Sequence, residues 1–224
     1  MSNFKNVDLQ LTKGIEERLR KRSFSKQCEI ISKYVYIKNC LSTEYSAKYI
    51  DDMYDQIYGD FIFYRLNELN KLRDFHFLEV KGIRQKHYKH AKLHINMKEC
   101  QPIEIENVDD PREEYKQSNT GTSIGHGMSN AQPKVLIAYV YDRDKIYIFK
   151  NYRKLNKELK RLYQDVPIEE LPIPFERNLN VPDYYKGKHY KNSDCMVINL
   201  DKINDKFIKE YDVIQIRLNW TKEE

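Results

Sequence analysis

The chain has 224 residues, of which 40% are hydrophobic and 33% charged, with 39 basic against 34 acidic side chains and a net charge of +5 with histidines neutral. That length buries a real core, as one domain or one domain with an appendage, and the mildly basic balance permits nucleic-acid binding without demanding it. No stretch reaches the ~20 consecutive apolar residues that span a bilayer, no apolar segment follows Met1-Ser2-Asn3-Phe4-Lys5-Asn6 as a secretory signal requires, and the scattered Cys28, Cys40, Cys100 and Cys195 form no C-x-x-C pair for a zinc ribbon. Buried thiols in a reducing compartment are expected. The abundance of Lys, Asn, Ile and Tyr points to an AT-rich genome, that of a low-GC bacterium or a phage, and a cytoplasmic location in a bacterial or phage-infected cell is the expectation.

In chain order, Leu11, Ile15 and Leu19 recur at four-residue spacing and predict a helix from about Leu9 to Arg22. Cys28, Ile31 and Val35 form the stripe of a second helix from Ser25 to near Lys38. Thr43 as N-cap and Gly59 as C′ residue bound a third, from Glu44 to about Tyr58, with Tyr45, Tyr49, Ile50, Met53 and Ile57 inward. Two strand-like runs follow, Asp60–Asn67 and Asp74–Gly82, joined by the more polar Glu68–Arg73 as a hairpin. The stretch from Ile83 to His94 is basic and aromatic, and as a helix it would place His87, His90 and His94 on one side. Three imidazoles can bind zinc, but the interleaved lysines repel a cation; a surface facing phosphate, through Arg84, Lys86, His87, Lys89 and His90, or an ordinary solvated element, are the other readings.

Residues 107–133 hold three of the seven glycines and read as a flexible loop or a disordered insertion, without the Gly-Lys-Ser/Thr of a P-loop. The apolar run Lys134–Tyr141, the turn Asp142-Arg143-Asp144 and the return Lys145–Phe149 form a strand pair. A helix from Asn151 to Tyr163 follows, with Tyr152, Leu155, Leu159 and Leu162 inward. Pro167, Pro172, Pro174 and Pro182 punctuate a segment that wraps the core. Within it Asp183–Lys191 mixes tyrosines with lysines, either a stacking surface or a solvated loop. Two further strands, Cys195–Leu200 and Val213–Leu218, flank a short helix and either extend the sheet or support a dimer. The expected architecture is α/β, a mixed central sheet flanked by helices, with a core over 1–165 and a C-terminal extension, 166–224, packed on it.

The most informative residues lie in the hairpin. Glu79 and Lys81 are two apart in a strand and so share a face with Phe75 and Phe77. A charge on a buried face needs a partner, a metal or an anion. A hairpin centred near Asn70–Lys71 sets Asp60 opposite Lys81 and Ile62 opposite Glu79, so Asp60, Glu79 and Lys81 converge. Two carboxylates attract a hard divalent cation, which lowers the pKa of a bound water and neutralises phosphoryl charge; a lysine beside them holds the phosphate or orients the water. That inventory suffices for metal-dependent phosphodiester hydrolysis. The plain alternative is an exposed edge-strand pair with Asp60 as a turn residue.

With Asp60 nineteen residues before Glu79 and the Glu79-Val80-Lys81 tripeptide on the next strand, the chain resembles the PD-(D/E)xK nuclease superfamily, by element order over about residues 10–165 and by motif at those three residues. Gly59 stands where that family often has proline. The resemblance implies a restriction-endonuclease-like α-β-β-β-α-β core and a magnesium- or manganese-dependent nuclease acting on nucleic acid, in the first instance DNA, often as a homodimer. In it Asp60 and Glu79 bind the metal, Lys81 is catalytic, and a helix acid completes the site; Glu17, Glu29 and Glu44 are the candidates, with Glu17 favoured because its helix comes first. The rival expectation is a non-catalytic module that binds nucleic acid or protein, such as a phage-encoded inhibitor of a host machine.

Overall fold

The computed structural model describes residues 4–11, 13–41, 45–50, 59–84, 90–102, 123–124, 133–185 and 188–222. The chain divides into two interleaved units, one of residues 1–91, 131–155 and 203–224 and one of residues 92–130 and 156–202. Residues 203–224, expected in an extension, therefore belong to the first unit.

The first unit is built on a seven-stranded mixed sheet. Its strands are β1 (Lys5–Leu11), β2 (Ser46–Tyr49), β3 (Phe61–Leu66), β4 (Leu72–Ile83), β7 (Val135–Val140), β8 (Lys145–Phe149) and β11 (Val213–Lys222), in the spatial order β1-β11-β8-β7-β4-β3-β2. β1 runs parallel to β11 and β4 parallel to β7, and the other neighbours are antiparallel. Helices α1 (Lys13–Arg20) and α2 (Phe24–Cys40) precede β2, α3 (Tyr152–Asp165) follows β8 and ends in the second unit, and α4 (Asp205–Tyr211) precedes β11. The second unit holds an antiparallel sheet of β5 (Lys92–Pro102), β6 (Ser123–Ile124), β9 (Phe175–Tyr185) and β10 (Lys188–Asn199), in the order β6-β5-β10-β9. Among the described residues the connection from β4 to β7 contributes β5 and β6, where the resembled core has a helix. The α/β class with a mixed sheet stands.

Helix α2 follows its sequence closely. The Ser23 side chain accepts the Lys26 amide at 3.3 Å, capping the first turn, and Cys28, Ile31, Val35 and Tyr36 are buried at helical spacing. They pack with Phe61, Phe63, Leu78, Val80, Ile137, Tyr139, Ile146 and Ile148, which alternate along their strands onto one sheet face. Gly82 sets how closely the helix lies on β4: a Cβ there would stand 2.7 Å from Cys28 Sγ and 3.0 Å from Phe24 Cε1. Gly82→Ala is expected to cost about 1–3 kcal/mol by overpacking. Cys28→Ala should recover part of that cost, so a double-mutant cycle in urea gives a favourable coupling; additive losses would show that the clash is not with Cys28. Burial pushes the Cys28 thiol up to about 12, which makes it a packing residue.

Three helical expectations give way to strands. The helix expected from Leu9 to Arg22 begins only at Lys13, because Val7 and Leu9 alternate into the core and β1 pairs with β11 from Lys5↔Ile216 to Leu11↔Lys222. The third expected helix overlaps β2, which pairs Ser46↔Tyr64 through Tyr49↔Phe61 and sets the Tyr49 and Phe61 rings 4.4 Å apart; residues 51–58, with Met53 and Ile57, lie outside the described residues. The stretch ending at His94 is not a helix at that end, because Leu93, Ile95 and Met97 are buried at period two in β5. His94 thus stands on a strand of the second unit, which removes the three-histidine helix face. The loop expected over 107–133 lies outside the described residues apart from β6 and Pro133. The later elements agree with expectation: β7 is buried along its whole length, and Tyr152, Leu155, Leu159 and Leu162 are the buried face of α3.

His76, on the α2 side of β4, lies under the Phe63 ring at 5.6 Å and is hydrogen-bonded to the Tyr36 hydroxyl at 2.9 Å. Burial, with Lys134 adding to it, depresses its pKa to about 4. The unfolded chain takes up this proton near 6.5 and the folded chain only near 4, so His76 removes stability as pH falls through that window. His76→Phe keeps the stacked ring. Its urea stability relative to wild type should improve by on the order of 2 kcal/mol between about pH 7 and pH 4.5; a difference independent of pH would refute the assignment.

Candidate active site

β4 crosses the sheet between β3 and β7, and its side chains divide by face. His76, Leu78 and Val80 turn toward α2; Phe75, Phe77, Glu79 and Lys81 turn to the other side. Glu79 is 6% exposed and stands in register with Leu136 of β7. The Lys81 side chain is 42% exposed and its ammonium forms an ion pair with Glu79 Oε1. A carboxylate that deep in a sheet is costly without such a partner.

Asp60 is brought to Glu79 by the backbone. The observed ladder runs Phe61↔Leu78, Ile62↔Phe77, Phe63↔His76 and Tyr64↔Phe75, with a bulge between Arg65 and Leu66. Continued by one residue it sets Asp60 against Glu79, two places from the expected pairing with Lys81. The cause is the turn: Asn67 Oδ1 accepts the Leu69 and Lys71 amides at 3.0 and 2.9 Å, and Asn70 takes φ 56°, which shortens the loop and moves the hairpin centre. Because the slip is by two, every side chain keeps its expected face. Gly59 enters β3 at φ 98°, and a Cβ on it would stand 2.8 Å from Leu78 O. Only glycine permits this approach, and it delivers the Asp60 carboxylate to β4, where Oδ2 accepts the Val80 amide at 2.6 Å.

The electrostatics follow from this crowding. Burial first, and the Glu79 carboxylate second, push the Asp60 pKa up to about 8, against the opposing pull of the Val80 amide; Glu29 raises it further and Lys81 lowers it. Asp60 therefore keeps its proton at neutral pH. Glu29, on α2, is 7% exposed, accepts from the Ser25 hydroxyl at 3.2 Å and pairs with Lys26 at 2.6 Å. Burial alone would lower the Lys26 pKa, but Glu29 more than offsets it. Lys26 also sits 4.0 Å over the Tyr49 ring.

The other expected site residues lie elsewhere in the described chain or outside the described residues. Glu17 is exposed on α1, and the helix acid whose charge reaches Asp60 is Glu29. Glu44 lies outside the described residues, as do Lys86, His87 and Lys89. Arg84 is exposed just past β4 with its guanidinium 4.0 Å over the Phe24 ring, and His90 is half-buried. Tyr152, a buried helix residue whose hydroxyl feels Glu79, reads in the sequence only as one of the inward positions of its helix. Its place in an apolar stripe disguised it, and only the polar hydroxyl among leucines signalled anything. Lys26 was passed over, though Ser25, Lys26 and Glu29 stand three and four apart on one helix face, the spacing at which side chains meet.

Among the described residues no three His, Cys, Asp or Glu side chains gather as metal ligands. The donor set is Asp60 with Glu79. It suits magnesium, which binds through one or two carboxylates and completes its shell with waters and substrate phosphate. It does not suit zinc, which takes four protein ligands in closed sites and three in catalytic ones. No protein-family model, curated protein or solved structure matches the chain.

Proposed function

We propose that the protein is a metal-dependent nuclease that hydrolyses phosphodiester bonds, with DNA as its substrate and a restriction-endonuclease-like core in its first unit. The observation that carries this reading is the crowding of Asp60, just before β3, and Glu79, within β4, with Lys81 beside them. Asp60 and Glu79 would hold magnesium or manganese. The ion supplies charge neutralisation at the phosphoryl group and a more acidic water. Lys81 reaches from the half-exposed rim to the phosphate or the attacking water, and its pair with Glu79 holds the ammonium in place until substrate arrives. The Val80 amide fixes one Asp60 oxygen, so the carboxylate does not have to be ordered during the reaction. Arg84, Lys86, His87, Lys89 and His90, which follow the site in the chain, would meet the nucleic-acid backbone. A bacterial or phage-infected cytoplasm fits the free thiols Cys28 and Cys40, and among the described residues no helix is long and apolar enough to cross a membrane.

One observation favours a second reading. The Lys81–Glu79 pair neutralises the buried carboxylate without a metal, as a non-catalytic binding module for nucleic acid or protein would require. Thermal melting against magnesium separates the two. A metal site raises the melting temperature in proportion to the logarithm of free magnesium above Kd, a stabilisation of about 2.7 kcal/mol at a hundredfold excess over Kd. A binding module shows no such rise.

A further inference from the structure

Beyond Lys81 and Asp60, the charge of Glu79 is felt by Tyr152. Register places Glu79 of β4, Leu136 of β7 and Phe149 of β8 side by side across one sheet face. The chain leaves β8 at Phe149 and enters α3 at Tyr152, whose amide donates to Lys134 O at 3.0 Å, while the Lys134 amide donates to Phe77 O at 3.0 Å. These links tie the first turn of α3 to β4 two residues from Glu79. Tyr152 is fully buried, and its hydroxyl has no hydrogen-bond partner. A buried hydroxyl without a partner costs ~1–3 kcal/mol, and phenylalanine would fill the same space without that cost. The phenol is within electrostatic reach of the Glu79 carboxylate, which adds to the effect of burial in disfavouring its ionised form.

We propose that Tyr152 is a positioning residue for Glu79: its O–H donates to the carboxylate, directly or through one water, once a bound cation displaces the Lys81 ammonium from Glu79. The hydroxyl then holds the carboxylate toward the metal, as partners behind metal ligands do. This rests on the reading of Asp60 and Glu79 as a magnesium site. It also accounts for a tyrosine in a helix stripe otherwise filled by Leu155, Leu159 and Leu162.

The test uses the full chain and magnesium alone, read by thermal melting. Tyr152→Phe should melt at or above wild type in metal-free buffer, because no hydrogen bond is lost, and should need about tenfold more magnesium to reach the same metal-induced shift. Tyr139→Phe, on the α2 face, should leave the magnesium requirement unchanged. An unchanged magnesium requirement in Tyr152→Phe, with or without a lower metal-free melting temperature, would overturn the proposal and make the tyrosine a packing residue. Absence of any magnesium shift in wild type would instead refute the metal site itself, and this role with it.

Discussion

Asp60→Asn is expected to raise the stability of the protein at about pH 8 and to abolish its response to magnesium. Asp60 keeps its proton up to about pH 8 in the folded chain and releases it near 3.8 when unfolded. Across that window the folded state binds the extra proton, so stability falls as pH rises and the loss is complete above the folded value. Asparagine carries no charge to bury, and its side-chain oxygen still accepts the Val80 amide that Asp60 accepts at 2.6 Å. The gain over wild type should therefore be near zero at about pH 4 and grow to on the order of 2 kcal/mol near pH 8, a figure discounted for the partial exposure of the site. Magnesium should close the gap by stabilising only wild type, and more strongly at higher pH, because binding displaces the proton. Urea titrations across pH, with and without the metal, measure all of this. A variant less stable than wild type at every pH, or stabilised by magnesium as much as wild type, would sink the account. Stability gained where function is lost is the usual mark of a strained functional group.

Lys81→Met separates the two roles of the lysine. In metal-free buffer it leaves Glu79, 6% exposed, facing Asp60 without its ion-pair partner. Breaking a fully buried pair costs ~3–5 kcal/mol, and the half-exposed ammonium here reduces that to roughly 1–2 kcal/mol. Saturating magnesium should recover the loss, since the cation then replaces the ammonium beside Glu79. Cleavage should not recover, and should stay down by about a hundredfold or more, because the group that meets the phosphate is gone. Melting and cleavage measured on one preparation decide it. If magnesium fails to restore stability, Glu79 is not a ligand; if cleavage persists at the wild-type rate, Lys81 only balances charge.

The convergence of Asp60, Glu79 and Lys81 was legible because it rests on period two. Glu79 and Lys81 share a face in any strand containing both, and Asp60 reaches that face in any hairpin register differing by two. The register itself was not legible, since it depends on the Asn67 side chain closing the turn and on the bulge at Arg65 and Leu66. Nor was the choice of Glu29, rather than Glu17, as the described helix acid whose charge reaches Asp60. That choice depends on how α2 lies across β4, which Gly82 sets through its contact with Cys28. The missed strands share one cause. β1 is held by β11, across nearly the whole chain, and β2 is held by β3, so tertiary pairing overrode local helical spacing. β7, β8 and α3 were readable because their apolar runs and stripes are long and unambiguous.

The most direct test of the central claim is a cleavage assay on mixed single- and double-stranded DNA with magnesium or manganese, comparing wild type with Glu79→Ala. The account predicts cutting that needs the metal and falls by about a thousandfold or more in the variant, equivalent to ~4 kcal/mol of transition-state stabilisation. Equal cutting by both proteins would contradict the assignment of Glu79, and retained DNA binding with no cutting by wild type would contradict the nuclease and leave the binding module.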